Sequence, residues 1–210
     1  MNNMKQSLLM CDSTEGDGKA EIVMDYVMSW SLRHAVTDKT SEKTPRLHQY
    51  CRFMLHKLLQ LEAPLKQIEF EKVKVWKEWQ YMDLCAEVKL KNNGVDEYYA
   101  LLVENKYYSP LGYKRDSKGK CRCQVDVYKE TFEKHYKSIP SKKDWIRRYA
   151  LVSCFESEEK EIHLYDEALK YDFKVYGFYD IVDEQFWDEK AGRYKDSESE
   201  IFNEFWLRRW

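Results

Sequence analysis

Apolar residues recur at helical spacing in two stretches near the start of the chain. The first covers residues 20–35, and the second begins at Pro45 and ends before Pro64. Proline is favoured in the first turn of a helix and cannot continue a helix, so both bounds of the second stretch are typical of a helix. The pattern therefore predicts two amphipathic helices at the start of the folded part of the chain.

The pattern then changes to one that is typical of strands. Residues 67–76, 79–90 and 96–107 are short segments rich in apolar and β-branched side chains, and residues 92–94 (Asn-Asn-Gly) are a strong tight-turn signal. Connections this short leave no room for a crossover. We therefore expect three strands that are antiparallel neighbours.

The remaining elements alternate between helix and strand. Helices are predicted over residues 121–137 and 160–171, strands over residues 147–155 and 173–181, and a last helix over residues 198–209. This order predicts an α/β fold with a central mixed β-sheet flanked by helices on both faces.

The length of the chain suits one domain. We expect residues 1–18, which are polar and contain glycine, to form a flexible N-terminal arm. Residues 19–210 are expected to form a single domain with a C-terminal helical elaboration. The aromatic C-terminal helix suits either the core or a dimer face, so a homodimer stays open as an assembly.

Composition and charge narrow the class of protein. The formal net charge of -2 argues against a general nucleic-acid coat protein and leaves local basic patches as the electrostatic signal. The longest apolar run, residues 98–103, is far too short for a membrane span. Because the N-terminus does not look secretory, we expect a cytoplasmic protein with no membrane partner and reduced cysteines. Cys121 and Cys123 leave a zinc protein as an alternative, although their spacing is not that of paired Cys-x-x-Cys ligands.

The candidate chemistry lies at the end of the third predicted strand. Glu104 and Lys106 are two residues apart, so both side chains leave the same face of the sheet. Asp83, in the preceding strand, lies across a hairpin and is placed to meet Glu104. Two converging carboxylates are costly unless a divalent cation neutralises them, and oxygen ligands favour Mg²⁺ or Mn²⁺.

An acid-x-lysine pair alone has little weight. A chain this rich in charge contains about six such spacings by chance, and solvent-facing charges explain one equally well. The surroundings of this pair make it more significant, because the pair ends an apolar strand and an acid lies one hairpin upstream. The following helix also carries Gln124 and Tyr128 one turn apart on one face, although a face that only packs on the sheet is the alternative for these two.

Together these residues resemble the signature of the PD-(D/E)xK phosphodiesterase superfamily. That signature has an acid in one strand, (Asp/Glu)-x-Lys in the next, and often Gln-x-x-x-Tyr in the following helix. The matching residues here are Asp83, then Glu104, Asn105 and Lys106, then Gln124 and Tyr128. The resemblance implies a restriction-endonuclease-like core and a nuclease in which metal-activated water hydrolyses nucleic-acid phosphodiester bonds, of DNA more than of RNA. The proline that often precedes the first acid is absent, and Met82 stands in its place.

The resemblance also implies a role for each residue. Asp83 and Glu104 would bind the metal with the Asn105 carbonyl as a further ligand, and Lys106 would assist the attacking water. Gln124 and Tyr128, on the helix, would orient the site or touch the nucleic-acid backbone. Many members place a metal-binding glutamate in the first helix, and Glu21 is the candidate here. An acid in a first helical turn also complements the helix dipole.

A basic loop joins the candidate strand to the candidate helix. Its five basic residues, which we predict to bind nucleic acid, are Lys114, Arg115, Lys118, Lys120 and Arg122. At the mouth of the site they would meet phosphates, whereas an ordinary solvated loop is the alternative. Tyr107, Tyr108 and Tyr113 nearby are candidates for stacking on bases. The near-zero net charge leaves open a second function, a catalytically silent nuclease-like fold that binds nucleic acid or protein.

Overall fold

The computed structural model describes residues 19–115, 119–182 and 184–208, so the predicted arm of residues 1–18 lies outside the described residues. The strands are β1 (Ile68–Trp79), β2 (Met82–Asn92), β3 (Val95–Lys106), β4 (Tyr113–Arg115), β5 (Cys121–Cys123), β6 (Ile146–Ser153), β7 (Lys174–Tyr176), β8 (Trp187–Asp188) and β9 (Arg193–Tyr194). The α-helices are α1 (Lys19–Arg33), α2 (Lys39–Lys43), α3 (Pro45–Leu58), α4 (Gln124–Ser138), α5 (Asp166–Leu169) and α6 (Glu200–Phe202). Turns of 3-10 helix cover Leu65–Gln67, Lys160–Tyr165, Tyr179–Ile181 and Glu184–Phe186, and a π-helical turn, Asn203–Leu207, follows α6.

The predicted mixed sheet is confirmed. Five strands lie in the order β1-β2-β3-β6-β7, with β1, β2 and β3 antiparallel and with β6 and β7 parallel to β3. The three long strands are antiparallel neighbours, as the short connections predicted. Asn93 and Gly94 form the turn between β2 and β3 with φ values of 49° and 83°, the left-handed conformation that a two-residue hairpin turn needs.

Helices pack on both faces of this sheet because side chains alternate along each strand. Leu101 and Val103 of β3 belong to one buried cluster with residues of α1 and α3, such as Met28. Leu102 belongs to the opposite cluster with residues of α4, such as Phe132. β3 is therefore buried on both faces, and the residues at its end are held between two packed layers.

β1 is an edge strand, and its free side carries charged residues. Lys72 and Lys74 are exposed on it. Part of its backbone is covered by α1, because Arg33 Nη2 donates a hydrogen bond to the Val75 carbonyl over 2.8 Å. Charged and covered edges of this kind are what natural sheets use against unwanted pairing.

Several smaller elements differ from the sequence prediction. Residues 160–171 form a 3-10 turn followed by the short α5, and the predicted last helix is α6 with a π-helical turn. The strand predicted over residues 173–181 ends at Tyr176, because the chain turns at Gly177, whose N–H donates a hydrogen bond of 2.8 Å to Asp180 Oδ2 and whose carbonyl accepts one of 3.2 Å from the Asp180 N–H. Residues of the predicted basic loop form β4. The first three residues of the helix predicted over residues 121–137 pair with β4 as β5, so that helix begins at Gln124. α2 and the β8–β9 hairpin were not predicted.

Two further observations concern the cysteines and the length and polarity of the helices. The cysteines in the described ranges, which are Cys51, Cys85, Cys121, Cys123 and Cys154, are all free thiols. In the same ranges, no helix is both long enough and apolar enough to cross a membrane.

Candidate functional site

The antiparallel pairing of β2 with β3 places the two candidate carboxylates side by side. Leu84 pairs with Val103, so the next step of the ladder brings Asp83 opposite Glu104. The Asn105 backbone N–H donates a hydrogen bond of 2.8 Å to Asp83 Oδ2. The Asp83 carboxyl is therefore fixed against the end of β3.

Glu104 and Lys106 form a buried ion pair on the face of the sheet that α4 covers. Only 1% of Glu104 and 6% of Lys106 is exposed to solvent, and Lys106 Nζ lies 2.8 Å from Glu104 Oε1. Burial acts to lower the pKa of Lys106, but the neighbouring carboxylate of Glu104 outweighs it and the net shift is upward. Lys106 therefore stays a cation inside the site.

Gln124 completes the surroundings of Glu104 from the start of α4. Its Nε2 donates a hydrogen bond to Glu104 Oε1. The Gln124 side chain is fixed in turn by Gly112, whose N–H donates to Gln124 Oε1 over 2.8 Å, while the Gln124 N–H donates to the Gly112 carbonyl over 2.9 Å. Any side chain at Gly112 would collide with the Gln124 amide, so this glycine permits the close approach.

One carboxylate oxygen of the site has no partner. In the described part of the chain, Glu104 Oε2 is buried and accepts no hydrogen bond. Burial, and then the nearby Asp83 carboxylate, hold the pKa of Glu104 well above its usual range. Burial also raises the pKa of Asp83, against the opposing effect of the Asn105 N–H. The two carboxyls thus lack the positive charge that would let both ionise.

Tyr128 lies one turn after Gln124 and connects the site to the basic loop. Burial raises its pKa, and the charges of Glu104 and Asp83 add to the shift. Lys114 Nζ donates a hydrogen bond of 2.5 Å to the Tyr128 hydroxyl. The loop therefore places one ammonium group at the mouth of the site.

The first helix reaches the site through two acids. Glu21 Oε1 accepts a hydrogen bond of 3.0 Å from the Tyr107 N–H and another from the Ser109 hydroxyl, and it lies 4.0 Å from Lys106 Nζ. Glu21 is thus at the edge of the site, as predicted for the first-helix glutamate, but its oxygen is already used by the chain after β3.

Asp25 is the residue of the site that the sequence analysis missed. It lies one helical turn after Glu21 and accepts a hydrogen bond of 2.7 Å from Asn105 Nδ2. Burial, and then the charge of Asp83, raise the pKa of Asp25 to about 7. The spacing of four residues between Glu21 and Asp25 was a usable signal, because it places both acids on one face of the helix.

The basic loop meets the prediction only in part. Arg122, in β5, is paired with two acids of the following helix α4, with Nε 2.6 Å from Asp126 Oδ2 and Nη1 2.5 Å from Glu130 Oε2. Its charge is neutralised inside the protein, so the prediction that Arg122 binds nucleic acid gains no support. Arg115 and Lys120 are exposed, and Lys118 lies outside the described residues.

The three tyrosines predicted as stacking partners make contacts within the protein, although Tyr108 and Tyr113 stay 49% and 61% exposed. Tyr107 and Tyr108 pack edge-to-face with ring centroids 4.8 Å apart, and Tyr108 also packs on Phe155. The Tyr113 hydroxyl donates a hydrogen bond of 2.7 Å to Glu167. These rings are held by the protein itself.

The zinc alternative finds no ligand set in the described ranges. No three side chains of His, Cys, Asp or Glu converge there on one point, so Cys121 and Cys123 lack the further ligands of a tetrahedral zinc site. Asp83 and Glu104 are two carboxylates, and Mg²⁺ in proteins is often held by only one or two carboxylates together with waters.

Comparisons of the chain with models of protein families, with curated proteins and with solved structures returned no match. The interpretation of the site therefore depends on its own geometry.

Proposed function

We propose that this chain is a metal-dependent nuclease of the PD-(D/E)xK type with a restriction-endonuclease-like core. It hydrolyses phosphodiester bonds of nucleic acid, of DNA in preference to RNA. One observation carries the proposal: Asp83 and Glu104 converge beside Lys106, and Glu104 Oε2 is buried and accepts no hydrogen bond from the described residues. A purely structural domain gains nothing from such an arrangement, because it lowers the stability of the fold.

The residues fit Mg²⁺ or Mn²⁺. The available donors are the carboxylate oxygens of Asp83 and Glu104, and carboxylate oxygen is the ligand that both ions prefer. The resemblance adds the Asn105 carbonyl as a ligand, and Glu21 stands at the edge of the site. When bound, the ion supplies a Lewis acid that polarises the phosphodiester and lowers the pKa of water.

The reaction in this proposal is an in-line displacement at phosphorus. A water oxygen forms the new P–O bond as the bond to the leaving oxygen breaks, and no covalent intermediate with the protein forms. Lys106 supports this step because its buried ammonium group stabilises negative charge that develops on the phosphate.

Three residues fix the geometry of this step. Gln124 holds Glu104 through its amide, and Gly112 holds Gln124. Asn105 holds Asp83 through its backbone N–H. Preorganised groups of this kind need no reorganisation when the substrate reacts.

A catalytically silent module remains the second candidate. It is favoured by the pairing of Lys106 with Glu104, which already neutralises one carboxylate, and by the pairing of Arg122 with Asp126 of α4. Such a module would bind nucleic acid or protein without any dependence on Mn²⁺.

Cleavage assays distinguish the two functions. Mixed single-stranded and duplex DNA and RNA are incubated with wild-type protein in Mn²⁺, which tolerates imperfect coordination geometry better than Mg²⁺. We expect cleavage by the wild type and a loss of about 1,000-fold or more in Asp83→Ala and Lys106→Ala.

Lys137→Ala is the matched control for these variants, because this lysine is an exposed member of an ion pair on α4. It should cleave as the wild type does. Cleavage that survives both site substitutions would place the activity elsewhere, and the absence of cleavage with retained nucleic-acid binding would favour the silent module.

A further inference from the structure

The turn between β1 and β2 has an unusual backbone. Trp79 pairs with Met82, so Gln80 and Tyr81 form a two-residue loop. Gln80 and Tyr81 have φ values of 54° and 66°, and Glu78 just before them has a φ of 56°. Left-handed backbone is disfavoured for residues with a side chain, and most of all for bulky ones. Three such residues within four positions make this turn locally strained.

The topology of the sheet does not require this strain. The other hairpin of the same sheet has the same loop length and uses Asn93 and Gly94, the residues that adopt this conformation most easily. Backbone strain at a position where a relaxed alternative exists is a feature of functional sites. The strained position of Tyr81 therefore indicates that its side chain has a function.

Tyr81 presents its ring to solvent beside a fixed cation. The residue is 80% exposed, and Lys114 Nζ lies 4.8 Å from its ring centroid and 4.5 Å from that of Tyr128. The ammonium group thus stands between an exposed ring and a buried one. Aromatic and cationic groups side by side match the two parts of a nucleotide, its base and its phosphate.

This pair lies at the candidate active site. Tyr81 precedes Asp83 by two residues, and Lys114 donates its hydrogen bond to Tyr128, which lies one helical turn after Gln124, the residue whose amide contacts Glu104. A base that stacked on Tyr81 would therefore belong to a nucleotide at or next to the phosphate held at Glu104.

We propose that Tyr81 and Lys114 form a stacking site for an unpaired base, so that the substrate is a single-stranded segment of nucleic acid. This inference rests on the proposed nuclease function. A ring at the tip of a turn reaches the face of a base only when that base is not stacked within a duplex. The near-neutral charge of the chain and the internally paired Arg122 also provide little of the basic surface that a duplex backbone needs.

The test is binding measured without cleavage. Fluorescence anisotropy in EDTA follows a short, labelled, mixed-sequence DNA strand, either alone or annealed to its complement. We expect the wild type to bind the single strand more tightly than the duplex. Tyr81→Gly should weaken single-strand binding about 10-fold or more, because one base–aromatic stack is lost, while its urea midpoint should rise because glycine removes the strain.

Two further variants sharpen the test. Tyr81→Phe keeps the ring and should bind the single strand as the wild type does. Lys114→Ala should weaken binding and lower the slope of log K against log salt by about one, as expected for one lost phosphate contact. Loss of binding together with a gain in stability cannot come from damage to the fold.

The result that overturns the inference is equally specific. It fails if the wild type binds the duplex as tightly as the single strand, or if Tyr81→Gly binds the single strand as the wild type does. The proposed nuclease function has a separate criterion, because it fails when the wild type cuts nothing in Mn²⁺. Wild-type cleavage of nucleic acid together with unchanged binding by Tyr81→Gly would leave the nuclease and remove only the stacking site.

Discussion

The two ends of the β1–β2–β3 meander hold their charges in opposite ways. At the far end, Lys89 lies 2.5 Å from Glu71 and 2.9 Å from Asp96, and these groups are partly open to water. At the site end, Asp83 and Glu104 converge in the interior with one buried lysine for both. The same sheet thus pairs its charged groups at the far end and leaves an excess of negative charge at the candidate site.

The turns of this meander differ in the same direction. Asn93 and Gly94 close the far end with residues suited to a left-handed backbone, whereas Gln80 and Tyr81 close the site end with residues that are not. The unfavourable backbone and electrostatic energies of the candidate site are thus confined to Asp83, Glu104 and the turn just before Asp83.

The largest expected effect is stabilisation by metal. If Asp83 and Glu104 lack a counter-charge, Mn²⁺ or Mg²⁺ at 100 times its dissociation constant should stabilise the wild type by about 3 kcal/mol. For a chain of this size, that corresponds to a rise of about 5–10 °C in Tm. Differential scanning fluorimetry with and without metal measures this rise.

The two ends of the meander supply the variant and its control. Asp83→Ala should lose the metal-dependent rise, and Glu71→Ala, which removes an acid from the far end, should keep it. Equal shifts in both variants would show that the ion binds elsewhere, and no shift in the wild type would favour the silent module.

The next effect is a pH dependence with opposite signs at the two ends. Asp25 has a pKa of about 7 in the folded protein and 3.8 as its ordinary value, so its folded form holds a proton that the unfolded chain has lost. Its contribution to stability is fully present below pH 3.8 and is lost as the pH rises to about 7. Between pH 5 and pH 7, Asp25→Asn should gain about 2 kcal/mol relative to the wild type in metal-free urea denaturation.

Glu71 provides the opposite case. Hydrogen bonds from Lys89 and Lys91 lower the pKa of Glu71 below its ordinary 4.5, so its contribution is present above pH 4.5 and is lost as the pH falls through the lowered value. Glu71→Gln should therefore lose stability relative to the wild type in the neutral range. The same sign for both variants would contradict the assigned titrations.

The smallest effect comes from exchanging the turn residues. The double substitution Gln80→Asn and Tyr81→Gly should raise the free energy of unfolding by about 1–2 kcal/mol, because it removes two strained residues. Asn93→Gln with Gly94→Tyr should lower it by a similar amount. Urea midpoints at constant m-value measure both changes, and a destabilised Asn-Gly variant at the site end would show that its side chains hold the fold together.

Long periodic segments of the fold were predictable from the sequence. Helical spacing predicted α1 and α3, and the Asn-Gly turn predicted the β2–β3 hairpin. The elements that were not predicted are short. α2 has five residues, and each strand of the β4–β5 and β8–β9 hairpins has two or three. Elements this short are stabilised by tertiary contacts, so they leave no period for a sequence analysis to detect.

The residues of the candidate site were also predictable to different degrees, depending on whether their contacts are local in the sequence. The convergence of Asp83, Glu104 and Lys106 follows from strand parity and one hairpin, both of which are readable from the sequence. Asp25 carried one sequence signal, its spacing of four residues from Glu21, but its contact with Asn105 was not predictable because Asn105 comes from a distant strand. The pairing of Arg122 with Asp126, four residues later, was visible in the spacing and argued against a free basic loop.

The charged edge of the sheet has a consequence for how copies of the chain meet in solution. A second copy that joined the β1 edge would have to accommodate the exposed lysines Lys72 and Lys74 of this strand. Arg33 already occupies a carbonyl that such a pairing would need. Growth into fibrils or continuous sheets through the β1 edge is therefore disfavoured. This edge should not cause aggregation of the protein at high concentration.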